Sequence, residues 1–95
     1  MPHILLQYKF YGQLNLSNNK ISEIKNLENL LQLKNLNLYK NQIKKIGNLE
    51  KLINLTQLDI SSNQISKIEN LEKLTHLQTL DISKNKITKI KKLNL

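Results

Sequence analysis

Asparagine recurs at Asn19, Asn41, Asn63 and Asn85, at a constant interval of 22 residues, and the positions around it recur with it. Leu14, Leu36, Leu58 and Leu80 form one column. Leu16, Leu38, Ile60 and Ile82 form the next, and Ile21, Ile43, Ile65 and Ile87 a third. Further along each unit come Ile24, Ile46, Ile68 and Ile90, then Leu27, Leu49, Leu71 and Leu93. Leu30, Leu52 and Leu74, and finally Leu33, Leu55 and Leu77, complete the pattern. A period of this length means one supersecondary unit per repeat, each too small to bury its own apolar face and stable only when stacked on its neighbours.

Within one unit the apolar spacing changes. Leu36 and Leu38 alternate with Asn35, Asn37 and Tyr39, the period of a strand with one buried face. From Ile43 through Ile46, Leu49, Leu52 and Leu55 the step is three, which predicts a 3₁₀-like coil. A coiled coil fits poorly, because each step of three on an α-helix turns the apolar stripe back by about 60°. The expected architecture is an α/β solenoid with short parallel strands on the concave face and a 3₁₀- and turn-rich convex arc. Asn19, Asn41, Asn63 and Asn85 then sit where each strand ends, and an amide there can donate to and accept from backbone groups that burial would orphan. They are read as a structural ladder. Ser66-Lys67-Ile68-Glu69 has the form of a capping box and predicts a helical turn on the third arc.

These columns resemble the 22-residue class of leucine-rich repeats found in the regulatory subunit of type-one protein phosphatase, in a light chain of axonemal dynein and in a spliceosomal protein. The resemblance runs from about Tyr11 onward. It implies a protein-binding solenoid and says little about the partner, since one repeat class serves many complexes.

The whole chain, 1–95, reads as one array: a partial repeat over 1–10, then repeats from about 11, 33, 55 and 77, the last incomplete. Leu5, Tyr8 and Tyr11 fall on arc columns of a unit whose strand is missing. Neither end has a polar covering segment, which suggests a piece of a longer array or a very small gene product.

Composition narrows the function. Cysteine is absent, so disulfides, thiolate metal sites and cysteine nucleophiles are excluded together, and the default setting is intracellular: cytoplasmic first, with nuclear or ciliary placement as alternatives. The longest apolar run, Ile4-Leu5-Leu6, is far below the ~20 residues of a bilayer span. The net charge is +8, yet all 15 basic residues are lysine, so compositional bias explains the charge better than phosphate or base recognition, which favours arginine. Lys44, Lys45, Lys51, Lys67, Lys73, Lys89, Lys91 and Lys92 fall on arc and turns, interspersed with glutamates.

Variable positions on the inner sheet carry the information about a partner. The candidate contact residues are Asn15, Asn35, Asn37, Tyr39, Lys40, Gln57, Asp59, Ser61, Thr79, Asp81 and Ser83. Tyr39, beside Ser17 and Ser61 of adjacent strands, is the first candidate anchor because tyrosine is enriched at binding hot spots. Asp59 and Asp81, one strand apart, suit a cationic group of a partner or simple solvation. Four such strands offer on the order of 200 Å², against about 800 Å² per partner in a standard interface, so the sheet alone should bind weakly.

No catalytic constellation is visible. His3 and His76 have no ligand-type neighbours, Gly12 and Gly47 form no phosphate loop, and no metal or cofactor is expected. The sequons at Asn15 and Asn54 are at chance level. The expected function is a non-catalytic protein-interaction module, and the resemblance implies a regulatory or scaffold subunit of a phosphatase or a cytoskeletal or ciliary complex. The alternatives are an RNA-associated scaffold using the basic surface, or a purely structural segment of a longer repeat protein.

Overall fold

The computed structural model describes residues 12–90. Six short strands appear in it: β1 (Gln13–Asn15), β2 (Asn35–Asn37), β3 (Gln57–Asp59), β4 (Lys67–Ile68), β5 (Thr79–Asp81) and β6 (Lys89–Ile90). Four of them form a parallel sheet in the order β1-β2-β3-β5, and β4 and β6 form a second, two-stranded parallel sheet. The register of the main sheet is the sequence period itself: Leu14 faces Leu36, Leu36 faces Leu58 and Leu58 faces Leu80. Each central leucine points inward while its two neighbours point out, as the strand pleat requires.

Between the two sheets lies a core of leucine and isoleucine alone. Leu36, Leu38, Ile43, Leu49, Leu52, Leu55, Ile60 and Ile65 are sealed from solvent, whereas Leu77, Leu80, Ile82 and Ile87 in the last described repeat pack against that core only partly buried. A side chain in the middle of the stack is covered by the same column above and below. That explains why one residue type per column suffices to fill the interior.

The convex side differs from the expectation in three ways. No α-helix or 3₁₀-helix occurs among the described residues, so the α/β description and the 3₁₀ arc are both corrected. In place of a 3₁₀ coil, Leu30 N–H donates to Leu27 O and Leu33 N–H to Leu30 O, each at 3.0 Å, and the pattern recurs at Leu52 and Leu55 and at Leu74 and Leu77. The bonds fall on every third residue, so each closes one turn and the next begins where it ended. A 3₁₀-helix would need them at successive residues. Both geometries return a side chain to the core every three residues, so the leucine spacing alone does not separate them.

The third correction concerns Ser66. Lys67–Ile68 is strand β4 and no helical turn starts there; the Ser66 carbonyl accepts from Thr88 N–H at 2.9 Å and Lys89 N–H at 3.3 Å in the next repeat. A neighbouring repeat satisfies these backbone groups, so no cap is needed.

Asn41, Asn63 and Asn85 tie each repeat to the one before. Asn63 Oδ1 accepts from Ile43 N–H at 3.0 Å, and its Nδ2 donates to Leu38 O, Ile60 O and Ser61 O at 3.0 to 3.1 Å. Asn41 and Asn85 repeat the pattern through Ile21 and Ile65. A second asparagine column, not singled out in the sequence, stands at Asn26, Asn48 and Asn70. All three adopt left-handed φ near +60°, and Asn48 and Asn70 donate to Ile24 O and Ile46 O one repeat back. Asparagine tolerates this conformation better than other side-chain-bearing residues, so Asn48 and Asn70 each turn the chain and bond the stack at once.

Two stability predictions follow from these contacts. Asn63→Ala leaves the buried Ile43 N–H without its acceptor and is expected to cost about 2 to 4 kcal/mol in urea unfolding. Asn54→Ala removes one exposed bond, to Leu31 O, and is expected to cost under about 1 kcal/mol. Lys40, at φ 58°, is strained where glycine would not be. Lys40→Gly is expected to raise stability by about 0.5 to 1 kcal/mol, while Lys51→Gly, at an ordinary φ, is expected to lower it by a similar amount.

Candidate functional site

The outward residues of β1, β2, β3 and β5 form the concave surface, and a shallow depression of about 480 Å³ lies over it, bounded by Asn35, Asn37, Gln57, Asp59, Thr79 and Asp81. Six of the eleven candidate contact residues are therefore brought together at one place. Asn15 lies on the first strand, outside this depression, and Lys40 follows the second strand in the left-handed conformation. Within the depression Asn35 Nδ2 donates to Gln57 Oε1 across neighbouring strands.

A local motif explains what each outward column does. The acceptor Oδ1 of Asn15, Asn37, Asp59 and Asp81 takes the backbone N–H two residues later, at 2.9 to 3.0 Å. In three of the four repeats that later residue is serine, whose hydroxyl donates to the same oxygen: Ser17 and Ser61 at 2.6 Å and Ser83 at 2.7 Å. These are Asx turns that end the strands. One oxygen of each aspartate is thus committed to the fold, and the other takes no part in the turn.

Ser61 is a correction to the expected contact surface. It is 4% exposed and its hydroxyl is bonded to Asp59, so it supports the turn and presents nothing to a partner. Ser83 makes the same bond but lies exposed. Tyr39 is the departure within this column. It has no short hydroxyl to return to Asn37, which keeps only the backbone bond, and the residue is 37% exposed. An aromatic ring therefore stands where the other repeats place a turn-closing hydroxyl.

The two hydrogen bonds from Ser83, first the hydroxyl and then the backbone N–H, hold the Asp81 carboxyl below its ordinary value of 3.8 against a small opposing effect of burial. The ionised form is the one the fold favours, so its contribution is fully present above that ordinary value and disappears as pH falls through the lowered folded-state pKa. Ser83→Ala is expected to move the Asp81 titration, followed by carboxyl-carbon NMR, upward toward 3.8; an unchanged midpoint would remove the serine from its cause.

Among the described residues no group of three or more His, Cys, Asp or Glu gathers where it could hold a metal ion, and no helix is long and apolar enough to cross a membrane. His76 lies exposed on an outer turn. His3 and the cluster members Lys91 and Lys92 fall outside the described residues, as do Leu5, Tyr8 and Tyr11. Sequence reasoning missed one further pair, Leu31 and Ile53, which are 54% and 53% exposed at equivalent places in adjacent repeats. A scan for core columns passes over such positions, because they are apolar in two repeats and polar in the others.

Comparison with known proteins agrees with this geometry. Residues 53–95 match the family described as Leucine Rich repeats (2 copies). No curated protein sequence matches the chain. Among solved structures the chain is similar to an internalin (inlF) from Listeria monocytogenes, with 33% identity over 88% of this chain and a TM-score of 0.79. The match spans 25% of the length of that structure. Residues 53–95 thus match leucine-rich repeats, the fold is a solenoid of parallel strands similar to that of the internalin, and repeats of this kind generally mediate protein–protein interaction.

Proposed function

We propose that this chain is a non-catalytic interaction module that takes a protein partner on the concave sheet, with Tyr39 as the aromatic anchor and the outer oxygens of Asp59 and Asp81 receiving a cationic group. The observation that carries this reading is the division of labour in the outward columns. Ser17, Ser61 and Ser83 close turns with a hydroxyl, whereas Tyr39 keeps only the backbone bond of the turn and places an aromatic ring there instead. Aromatic side chains of this kind dominate binding energy when a partner covers them. Asn35, Gln57 and Thr79 supply donors and acceptors in the depression.

The finer setting is that of a regulatory or scaffold subunit of a phosphatase or of a cytoskeletal or ciliary complex, inside the cell and in the cytoplasm first. It is supported by the resemblance of the 22-residue columns to that class and by the absence of cysteine. The modest area of the sheet argues that the partner also reaches the loops at the strand ends, where Lys40 and Lys84 stand exposed.

The test is capture from cell lysate with nuclease present, at about 0.1 and 0.5 M salt, comparing the native chain with Tyr39→Ala, Asp59→Asn and Asp81→Asn combined. Asparagine at 59 and 81 keeps the Oδ1 acceptor that Asn15 and Asn37 already use, so the turns survive while the charge is removed. The expected result is a protein retained by the native chain at the higher salt and lost by the triple variant. Equal retention by both would sink the concave-face reading.

A further inference from the structure

The net charge is segregated. The described residues hold twelve lysines and seven acidic residues, a balance of +5. One segment of each repeat, running from the structural asparagine toward the second asparagine column (positions 20–25, 42–47, 64–69 and 86–90), carries seven of those lysines. Lys20 and Lys25 lie in the first repeat, Lys44 and Lys45 in the second, Lys67 in the third, and Lys86 and Lys89 in the fourth. Against them stand only Glu23 and Glu69, so this flank has a charge of +5. The remaining five lysines are balanced by Glu28, Glu50, Glu72, Asp59 and Asp81. The whole excess of the described chain therefore sits on one side of the solenoid, whereas compositional drift alone would spread it over all solvent positions.

The flank is also ordered. Lys67 and Lys89 are direct parallel partners in β4 and β6, so they project to the same side, and Lys45 occupies the same place one repeat earlier. Backbone bonds from Gln42 to Ile21, Gln64 to Ile43 and Lys86 to Ile65 continue this ladder through all four repeats. Lys67 is half-buried and forms an ion pair with Glu69 at 3.7 Å; the other six lysines are exposed. Three inter-repeat steps of about 4.8 Å make a cationic strip about 14 Å long.

We propose that this flank is a second interaction surface, distinct from the concave sheet, and that it binds the phosphate backbone of a nucleic-acid duplex without reading sequence. A duplex carries one charge per about 1.7 Å, so about 14 Å of it presents about eight phosphates, roughly half of them on the facing side. The chemistry of the strip selects this occupant over other polyanions. No aromatic side chain lies on it, so it offers no platform for the bases of a single strand. Apart from Ile90 its exposed side chains are polar, and anchoring on a bilayer surface relies on apolar groups entering the headgroup layer. Lysine meets phosphate as a point charge, and arginine, the residue best suited to bidentate base recognition, is absent from the chain.

The test uses the full chain and a fluorescein-labelled mixed-sequence DNA duplex of about 24 base pairs, long enough to cover the strip, followed by anisotropy. With about four phosphates neutralised, the affinity is expected to fall with a log–log salt slope of about −3 to −4, or about a hundredfold between 50 and 200 mM salt. Two charge-matched variants decide whether the strip is responsible. Lys44→Glu, Lys45→Glu and Lys89→Glu together are expected to weaken binding at least about tenfold more than Lys34→Glu, Lys51→Glu and Lys73→Glu together. All six positions are exposed, and urea midpoints for both variants verify that the fold is kept. Equal losses in the two variants would mean that only net charge acts, and the proposal would fall. It would fall equally if the duplex failed to bind, or if vesicles of phosphatidylcholine and phosphatidylserine bound through the same lysines more tightly than the duplex.

Discussion

The contact on which the rest of the solenoid depends is the amide of Asn63 and its counterparts. Where each strand ends, the chain turns beside an apolar core, and its buried backbone groups need polar partners. Asn63 meets three carbonyls and one N–H with a single short side chain, bridging its own repeat and the one before. No buried side-chain nitrogen or oxygen among the described residues is left without a partner. Because the amide links consecutive repeats in a fixed geometry, it also sets the 22-residue register that places Leu36 against Leu58 and Asp59 against Asp81. A slip of one residue would turn the strand leucines out of the core and break every bond the amide makes, so packing and the ladder fix the same register.

That constraint explains which parts of the molecule were legible in the sequence. The strands and the Asn ladder follow from columns whose chemistry admits one structural solution: alternation demands a half-buried strand, and an invariant polar residue in an apolar frame demands a backbone partner. The arc was less legible because a step of three serves successive turns and a 3₁₀-helix equally, and only the spacing of backbone bonds at Leu30, Leu33, Leu52 and Leu55 separates them. Ser66 to Glu69 misled for a related reason. A capping box is a local signal, and in a solenoid the next repeat supplies by long-range bonding what a helix would supply within itself. The column of Asn26, Asn48 and Asn70 has the same period as the ladder, and its left-handed backbone gives asparagine a meaning that spacing alone does not disclose.

The candidate surface shows the same division. The alternation of each strand identified the outward residues, but not which of their atoms are available. Asn15, Asn37, Asp59 and Asp81 look alike as surface polar groups, yet each has an oxygen bound to its own turn. Ser61, one of the expected contacts, turns out to be a buried part of that turn. What remains for a partner is smaller than the polar residue count suggests: the outer carboxylate oxygens, a few amides and the ring of Tyr39.

A repeat protein separates its surfaces because each column runs the length of the array. Substitution in one column leaves the others in place, so the concave sheet, the basic flank and the turn arc can each take a different character without altering the core. Here the sheet is a mixed polar surface with one aromatic ring, the flank holds the charge excess, and the arc stacks Glu28, Glu50 and Glu72 in register beside Lys51 and Lys73. Three carboxylates in one column repel one another. The neighbouring lysines offset that repulsion locally, which keeps the arc near neutral and confines the positive field to the flank. The separation has a kinetic consequence. A field concentrated on one flank orients an approaching polyanion toward that side and leaves the concave sheet open to a second partner, so the two surfaces need not compete.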